Sequence, residues 1–369
     1  MEITRFLFIV DVIVIMLSFV FYRQVLVFLI NLLEKKKPAK KHQEPELTAI
    51  IPAHNEENNI EKKLVNLVDS GYQKKKLNII VTDDFSTDKT AEIVKNFEKF
   101  PVVLIKAKEY KGKIAAINNA LKHSKTEIVI LSDADATLEK GAIKNLVSYF
   151  SSNKIGGVTG NIIIDIKSSF YSSGQKKFQN DENKLRNYES TLDSVSSMDG
   201  RLCAFRKSIV KNIDKDAAAD DLEMTYQIRK KGHKVVFAQD AIVHEKAPTN
   251  LSAEFQQKRR RSLYTINVVF RHIDMLFNPK YGPFGIFIFP FRRFFGILSP
   301  FLLLFAFFYL LKLKYFILLL MLIVILLLCF NYTRGIMVYY LLVIVSILMS
   351  WLDFLVNGFK AKGKWRRHY

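Results

Sequence analysis

Cysteine is nearly absent: the chain of 369 residues carries two, Cys203 in its charged middle and Cys329 in an apolar run. Two such thiols support neither a disulfide framework nor a cysteine-based zinc site, and they fit a reducing compartment. Internal repeats, low-complexity tracts and long flexible linkers are missing as well, which makes a transporter built from repeated halves a poor reading. Acidic residues are scarce, 35 against 55 basic ones, for a formal net charge of +20. Such an excess draws nucleic acid, anionic lipid or an anionic substrate. No motif interleaves aromatics with these charges in a nucleic-acid-binding order. Much of the excess sits beside apolar segments, at 35–41, 258–261, 292–293 and 360–367. That placement points to a lipid bilayer as partner, not nucleic acid.

The chain is apolar at both ends and charged between them, the pattern of a membrane protein with one cytoplasmic domain. Residues 6–33 are long enough for one spanning helix even with Asp11, Arg23 and Gln24 inside, so 1–34 is expected to be an N-terminal transmembrane helix. Its apolar core is too long for a cleaved signal peptide, and no small-x-small site follows. The basic run 35–41 should stay on the cytoplasmic side, which puts the N-terminus outside. After an interfacial segment at 266–293, residues 294–357 supply about three more helices, and 358–369 form a basic tail. One helix before the domain and three after it would place that tail outside, against the positive-inside tendency. Either one segment lies in the interface or re-enters, or the tail breaks the rule.

Between them, 45–265 alternates short apolar runs with amphipathic stretches, as an α/β domain with a largely parallel sheet does. Strands are expected at 47–53, 77–84, 102–107 and 126–135, with helices at 58–71, 86–100 and 113–124 between them. The candidate chemistry falls at strand ends, where open α/β sheets bind ligands.

The sequence ILSDADAT at 130–137 sets Asp133 and Asp135 on one face as the chain leaves a strand. That geometry suits a divalent cation, magnesium or manganese, carrying a diphosphate. Asp135 would bind the metal directly, and Asp133 a ribose or the metal's waters. IPAHNEE at 51–57, with Pro52, Asn55 and Glu56, reads as a polar turn or one wall of a nucleotide pocket. VTDDFSTD at 81–88 offers Asp83 and Asp84 to a base or ribose, although Ser86 or Asp88 also suits a helix cap. Lys108, Lys111 and Lys113 surround Gly112 at a helix entrance, a place that attracts phosphate unless the lysines are simply solvated.

Asp220 and Asp221 precede an amphipathic helix ended by Gly232. They either cap that helix or, as adjacent like charges in a cleft, raise one pKa toward that of a general base. QQKRRRS at 256–262 is either a lipid-facing collar or a diphosphate clamp, since guanidinium forks match phosphate oxygens.

Taken in order, IPAHNEE, VTDDFSTDKT, KGKIAAINNAL, DADA, MDGRLCAFRKS, ADDLEMTYQIRKKGH, HEKAPTN and QQKRR resemble the family 2 glycosyltransferases. The likeness is to the membrane-embedded branch that includes hyaluronan, chitin, cellulose and poly-N-acetylglucosamine synthases, and it covers roughly 45–265. It implies a GT-A fold, a nucleotide-sugar donor, with UDP the nucleotide the family favours, a divalent metal and inversion at the anomeric carbon. It also implies that Asp83 or Asp84 contacts the base, Lys113 the nucleotide, and Asp133 with Asp135 the ribose, diphosphate and metal. Asp221 matches the base that deprotonates the acceptor hydroxyl, with Asp220 where the family usually has Glu. Gly200 to Ala204, Cys203 included, matches the segment lining the acceptor site. Of the branch's Q-x-x-R-W signature, Gln257 and Arg260 are kept and Arg261 replaces the tryptophan that lies beside the acceptor sugar. The acceptor is thus expected to be a carbohydrate or a lipid. The lost ring favours single transfer to a polyprenyl phosphate or other lipid, and four helices favour a path for a growing polymer. A non-catalytic nucleotide-sugar-binding module is the remaining alternative.

Overall fold

The computed structural model describes residues 2–107, 112–166, 169–248, 250–311, 321 and 331–358. An eight-stranded sheet runs in the order β3-β2-β1-β4-β7-β6-β8-β5. Its strands are β1 (Leu47–Ala53), β2 (Leu77–Asp83), β3 (Val102–Lys106), β4 (Ile128–Leu131), β5 (Thr137–Leu138), β6 (Ile155–Asp165), β7 (Cys203–Arg206) and β8 (Lys234–Lys246). The first four are parallel, as the alternating pattern predicts. The expectation of a largely parallel sheet holds for that half; β7 runs antiparallel between β4 and β6. This reversal matters for the site, because it returns the chain beside β4, with Leu131 opposite Cys203.

Strand residues alternate between two cores. Ile50, Ile80, Val129 and Leu131 face one, with Ile114 and Ile117 of α5 (Lys113–His123). Ala49, Ile51, Ile79 and Ile130 face the other, with Ile60, Leu64 and Leu67 of α3 (Ile60–Val68). The first core runs on into Tyr22, Leu26, Phe284, Phe287 and Phe289 without a break. The domain is therefore seated on segments that lead into apolar helices. Fully burying a phenylalanine such as Phe284 or Phe289 contributes about 1.5–3 kcal/mol.

Among the described residues, three helices are long and apolar enough to cross a membrane: Glu2–Val20, Phe284–Leu310 and Arg334–Asn357. At the N-terminus the single expected helix is broken. α1 (Glu2–Ile15) and a π-helical turn (Met16–Val20) end at Phe21, whose φ of −102° and ψ of 2° are not helical. α2 (Tyr22–Leu32) follows, and its Tyr22 hydroxyl donates to Glu189 at 3.0 Å. Tyr22 and Leu26 gain more by packing on the domain than by continuing a straight span. The interfacial segment likewise stops short of 293, since Phe284–Phe294 is π-helical and continues directly into Phe295–Leu310. The apolar run 315–330 and the tail beyond 358 lie outside the described residues, apart from position 321.

α7 (Ser172–Leu192) and α9 (Leu251–Arg271) carry the domain onto α11 (Asn331–Asn357). Arg259 makes a two-point pair with Asp353 at 2.6 and 2.5 Å, and Ser350 donates to the Arg259 carbonyl at 2.7 Å. α9 continues to Arg271, past the expected boundary at 265. The side chain of Asn250 caps its start by accepting from the Ala253 amide at 2.8 Å.

Candidate active site

The carboxyl ends of β1 and β4 open into a cavity of ≈ 3070 Å³. Pro52, Lys113, Asp135, Gly200, Asp221 and Arg260 all line it, so the motifs read from the sequence converge. Lys113, at the first turn of α5, ties them together. Its Nζ lies 2.9 Å from Asp133 Oδ1 and 3.2 Å from Asp220 Oδ2. Burial works against the charge of Lys113, but Asp133 and Asp220 outweigh it and hold the ammonium well above its ordinary range. Lys108 and Lys111 lie outside the described residues.

Gly200 is packed so closely under this pair that a Cβ would meet Lys113 Nζ at 2.8 Å and Asp220 Oδ2 at 3.3 Å. The antiparallel return of β7 delivers that glycine, and Ser132 Oγ donates to the Arg201 carbonyl at 2.7 Å. α8 (Asp220–Lys230) starts at the acidic pair, which lies in its first turn, but the N-cap is Ala219 and no side chain caps the helix. Asp221 accepts from the adjacent Leu222 amide at 2.7 Å and lines the cavity. Burial, then Asp220 and Asp199, push the Asp221 carboxyl up to about 6. Burial, then Asp133 and Glu245, push Asp135 up to about 6 as well.

Asp133 is paired with Lys113, and Asp135 lines the same cavity two residues on, an arrangement that fits a divalent cation. Among the described residues no group of three His, Cys, Asp or Glu side chains could hold a metal alone. A cation here would draw its other ligands from phosphate and water, which is how magnesium is usually held.

Other predicted residues take different places. Glu56 lines the cavity with Pro52, and its Oε2 accepts from the Asn59 side chain at 2.9 Å. Asn55, Asp83 and Asp84 are not among the lining residues. Asn55, at φ +55°, accepts from the Thr87 amide at 2.8 Å and joins the turns after β1 and β2. Asp83 accepts from the Ser86 amide at 3.3 Å, and Asp84 Oδ2 from the Gly112 amide at 2.7 Å. Asp84 thus anchors the entrance to the helix that carries Lys113. Cys203 is fully buried inside β7 and burial pushes its thiol well up, so its contribution is packing beneath the loop around Gly200. Gln257, Arg260 and Arg261 of α9 line the cavity, with Arg261 3.9 Å from Glu245.

Five participants were not singled out individually from the sequence. Asp199 grips Arg201 at 2.8 and 3.0 Å and Arg186 at 3.3 Å, and Arg201 also pairs with Glu245. This chain of charges braces the loop around Gly200 against β8 and α7. Asp199 and Arg201 flank Gly200 in MDGR, and Glu245 lies in HEKAPTN, so the motifs contained them without indicating their pairing. The fifth is Lys63, a lysine on the apolar stripe of α3, 2% exposed. Burial brings its ammonium down to about 7, against the pull of Asp133 and Asp135.

Residues 45–263 match the family model described as "Glycosyltransferase like family 2". The chain belongs to this family. Among its relatives, the probable glycosyltransferase YdaM of Bacillus subtilis (strain 168) is 29% identical over 274 residues, covering 69% of this chain and 64% of that protein. The poly-beta-1,6-N-acetyl-D-glucosamine synthase of Staphylococcus aureus (strain MSSA476) is 26% identical over 276 residues, covering 73% and 66%. In each case the match spans a little under two thirds of the relative's length. The mannosyltransferase PcManGT from Pyrobaculum calidifontis, solved with GDP-Man and Mn2+, superposes with a TM-score of 0.76 at 22% identity, over 95% of this chain and 99% of that one. This member of the family therefore has the GT-A fold, with flanking apolar helices long enough to span a membrane.

Proposed function

We propose that the protein transfers a sugar from a nucleoside-diphosphate sugar to a hydroxyl of a carbohydrate or glycolipid, with inversion, at the inner face of a membrane. The observation that carries this reading is the bridge through Lys113, which joins the Asp133–Asp135 turn to the Asp220–Asp221 pair in one cavity. Donor and acceptor chemistry need that adjacency.

The residues divide the work. Asp221, with its pKa raised to about 6, is ionised at neutral pH yet basic enough to take the acceptor proton as the oxygen attacks. Lys113 keeps Asp133 and Asp220 apart in charge and offers a cation to phosphate. Arg260 and Arg261 present guanidinium groups from α9, where a diphosphate or an anionic acceptor would meet them. Magnesium or manganese held by Asp135 and Asp133 would supply positive charge to the departing diphosphate. Holding the reactants in register accounts for much of the remaining acceleration. The exposed lysines 35–37 after α2 support a cytoplasmic domain facing anionic lipid.

Purified protein in lipid nanodiscs, offered UDP and GDP sugars with and without Mn2+, tests the reading through nucleoside-diphosphate release. Metal-dependent release that is lost in Asp221→Asn is expected. No release from any donor, or full release by the variant, refutes it.

A second reading is single transfer to a lipid such as a polyprenyl phosphate. It is supported by the cavity wall, which continues onto Ile297, Val343 and Ile347 of the apolar helices, and by Arg261 where a stacking ring would guide a polymer. Product length on labelled donor separates the two: a ladder means polymerisation, a single solvent-extractable species means lipid transfer.

A further inference from the structure

An ammonium buried without partners costs many kcal/mol, so a lysine on the inner stripe of a helix must be compensated. Lys63 occupies such a position, between Ile60 and Leu67 on the side of α3 that packs against the sheet. Its Nζ donates to Ser132 Oγ at 2.7 Å and to the Ala136 carbonyl at 2.7 Å. Ser132 directly precedes Asp133, and Ala136 directly follows Asp135. One ammonium therefore grips both ends of the acidic turn.

The turn has little else to hold it. β4 ends at Leu131 and β5 begins at Thr137, so the intervening residues leave the ladder. Their backbone bonds are Ser132 N to the Ile50 carbonyl at 3.2 Å and a long Ala136 N to Asp133 O at 3.4 Å. Ser132 in turn donates to the Arg201 carbonyl at 2.7 Å, so the same lysine reaches the loop around Gly200 through one hydroxyl. Lys113 holds Asp133 by its carboxylate, and Lys63 holds the backbone and hydroxyl that frame it.

We propose that Lys63 is a positioning residue that preassembles the Asp133–Asp135 turn before cation and diphosphate arrive, and so sets the metal concentration the enzyme needs. This rests on the reading of the turn as the cation site. The ammonium's charge works against a metal, since its two acceptors are neutral oxygens, and ordering of the two carboxylates outweighs that repulsion.

The test compares the full chain in nanodiscs with Lys63→Met and Lys63→Gln by two measurements. Backbone amide exchange without metal is expected to quicken at least tenfold at 133–137 in Lys63→Met, while β1 and β2 keep their protection. Mn2+ alone, followed by electron paramagnetic resonance of the free ion, is expected to bind the Met variant at least tenfold more weakly, with Lys63→Gln between it and the parent. Unchanged exchange at the turn, or Mn2+ binding that is equal or tighter, overturns the proposal. Faster exchange throughout the sheet also overturns it, because Lys63 would then serve only the general fold. If Lys63→Met does not fold, Lys63→Gln decides on the same two readouts. Failure of the parent protein to bind Mn2+ would sink the cation reading instead, and the exchange result would still judge the positioning role.

Discussion

Lys113 and Asp220 stand 3.2 Å apart, and through this contact the end of one strand-helix unit meets the start of a helix far along the chain. The other arm of the same ammonium, at 2.9 Å from Asp133, makes the contact a junction between the motif expected to hold donor phosphates and the motif expected to hold the base.

Replacing Lys113 by Met should raise the donor KM at least tenfold, because phosphate loses a cation and Asp133 and Asp220 are left facing each other unbridged. Initial rates over a donor series check this. An unchanged KM would remove Lys113 from the nucleotide site.

Asp221→Asn should lower transfer by about 10²–10⁴-fold while donor binding persists, the usual worth of a positioned base. In the parent enzyme the base works as the carboxylate, so kcat should fall as pH drops through about 6 and level off above it. A rate profile between pH 5 and 8.5 reads the inflection. A flat profile argues against Asp221 as the base.

The same substitution should stabilise the protein. Asp221 has an ordinary value of 3.8 and is raised to about 6 in the fold, so the native state favours its protonated form. Its ionisation therefore costs stability, a cost that grows as pH rises from about 4 to 6 and is fully present above. At pH 7.5 Asp221→Asn is expected to raise Tm by about 2–4 °C, and at pH 4 by almost nothing. Thermal unfolding at the two pH values is the measurement.

Gly200→Ala should cripple catalysis without unfolding the protein. The new Cβ would press on Lys113 Nζ at 2.8 Å, the flexible end of a side chain, so the lysine shifts and its pair with Asp220 opens. About a tenfold loss in kcat/KM is expected with Tm nearly unchanged. A large drop in Tm would mean the backbone, not the ion pair, had given way.

Local signals carried much of this protein. Apolar runs of strand length, each followed by a polar cluster and an amphipathic stretch, place β1 to β3 within a residue or so, whereas β4 stops at Leu131 and leaves Asp133 and Asp135 in a turn, and the helix expected over 86–100 is only Thr90–Lys95. They do so because burial of both sheet faces leaves a nearly continuous apolar strand in the sequence. Asp133, Asp135, Asp220 and Asp221 stand out for a similar reason, since carboxylates at the end of a buried run are costly unless a ligand or cation needs them.

Pairings between distant segments leave no such trace. Asp84 was legible as an acid but not as the anchor of Gly112, Cys203 as part of a motif but not as core, and Lys63 was not singled out at all. The break at Phe21 belongs with them, since hydropathy counts apolar length and cannot say that Tyr22 will find Glu189. Side-chain type and period are properties of a stretch of chain, so composition and spacing were enough for the α/β domain, its acidic motifs and its apolar flanks. Which ammonium meets which carboxylate depends on the antiparallel return of β7 beside β4 and on the crossing of helices, and only the folded chain brings those groups within hydrogen-bonding reach.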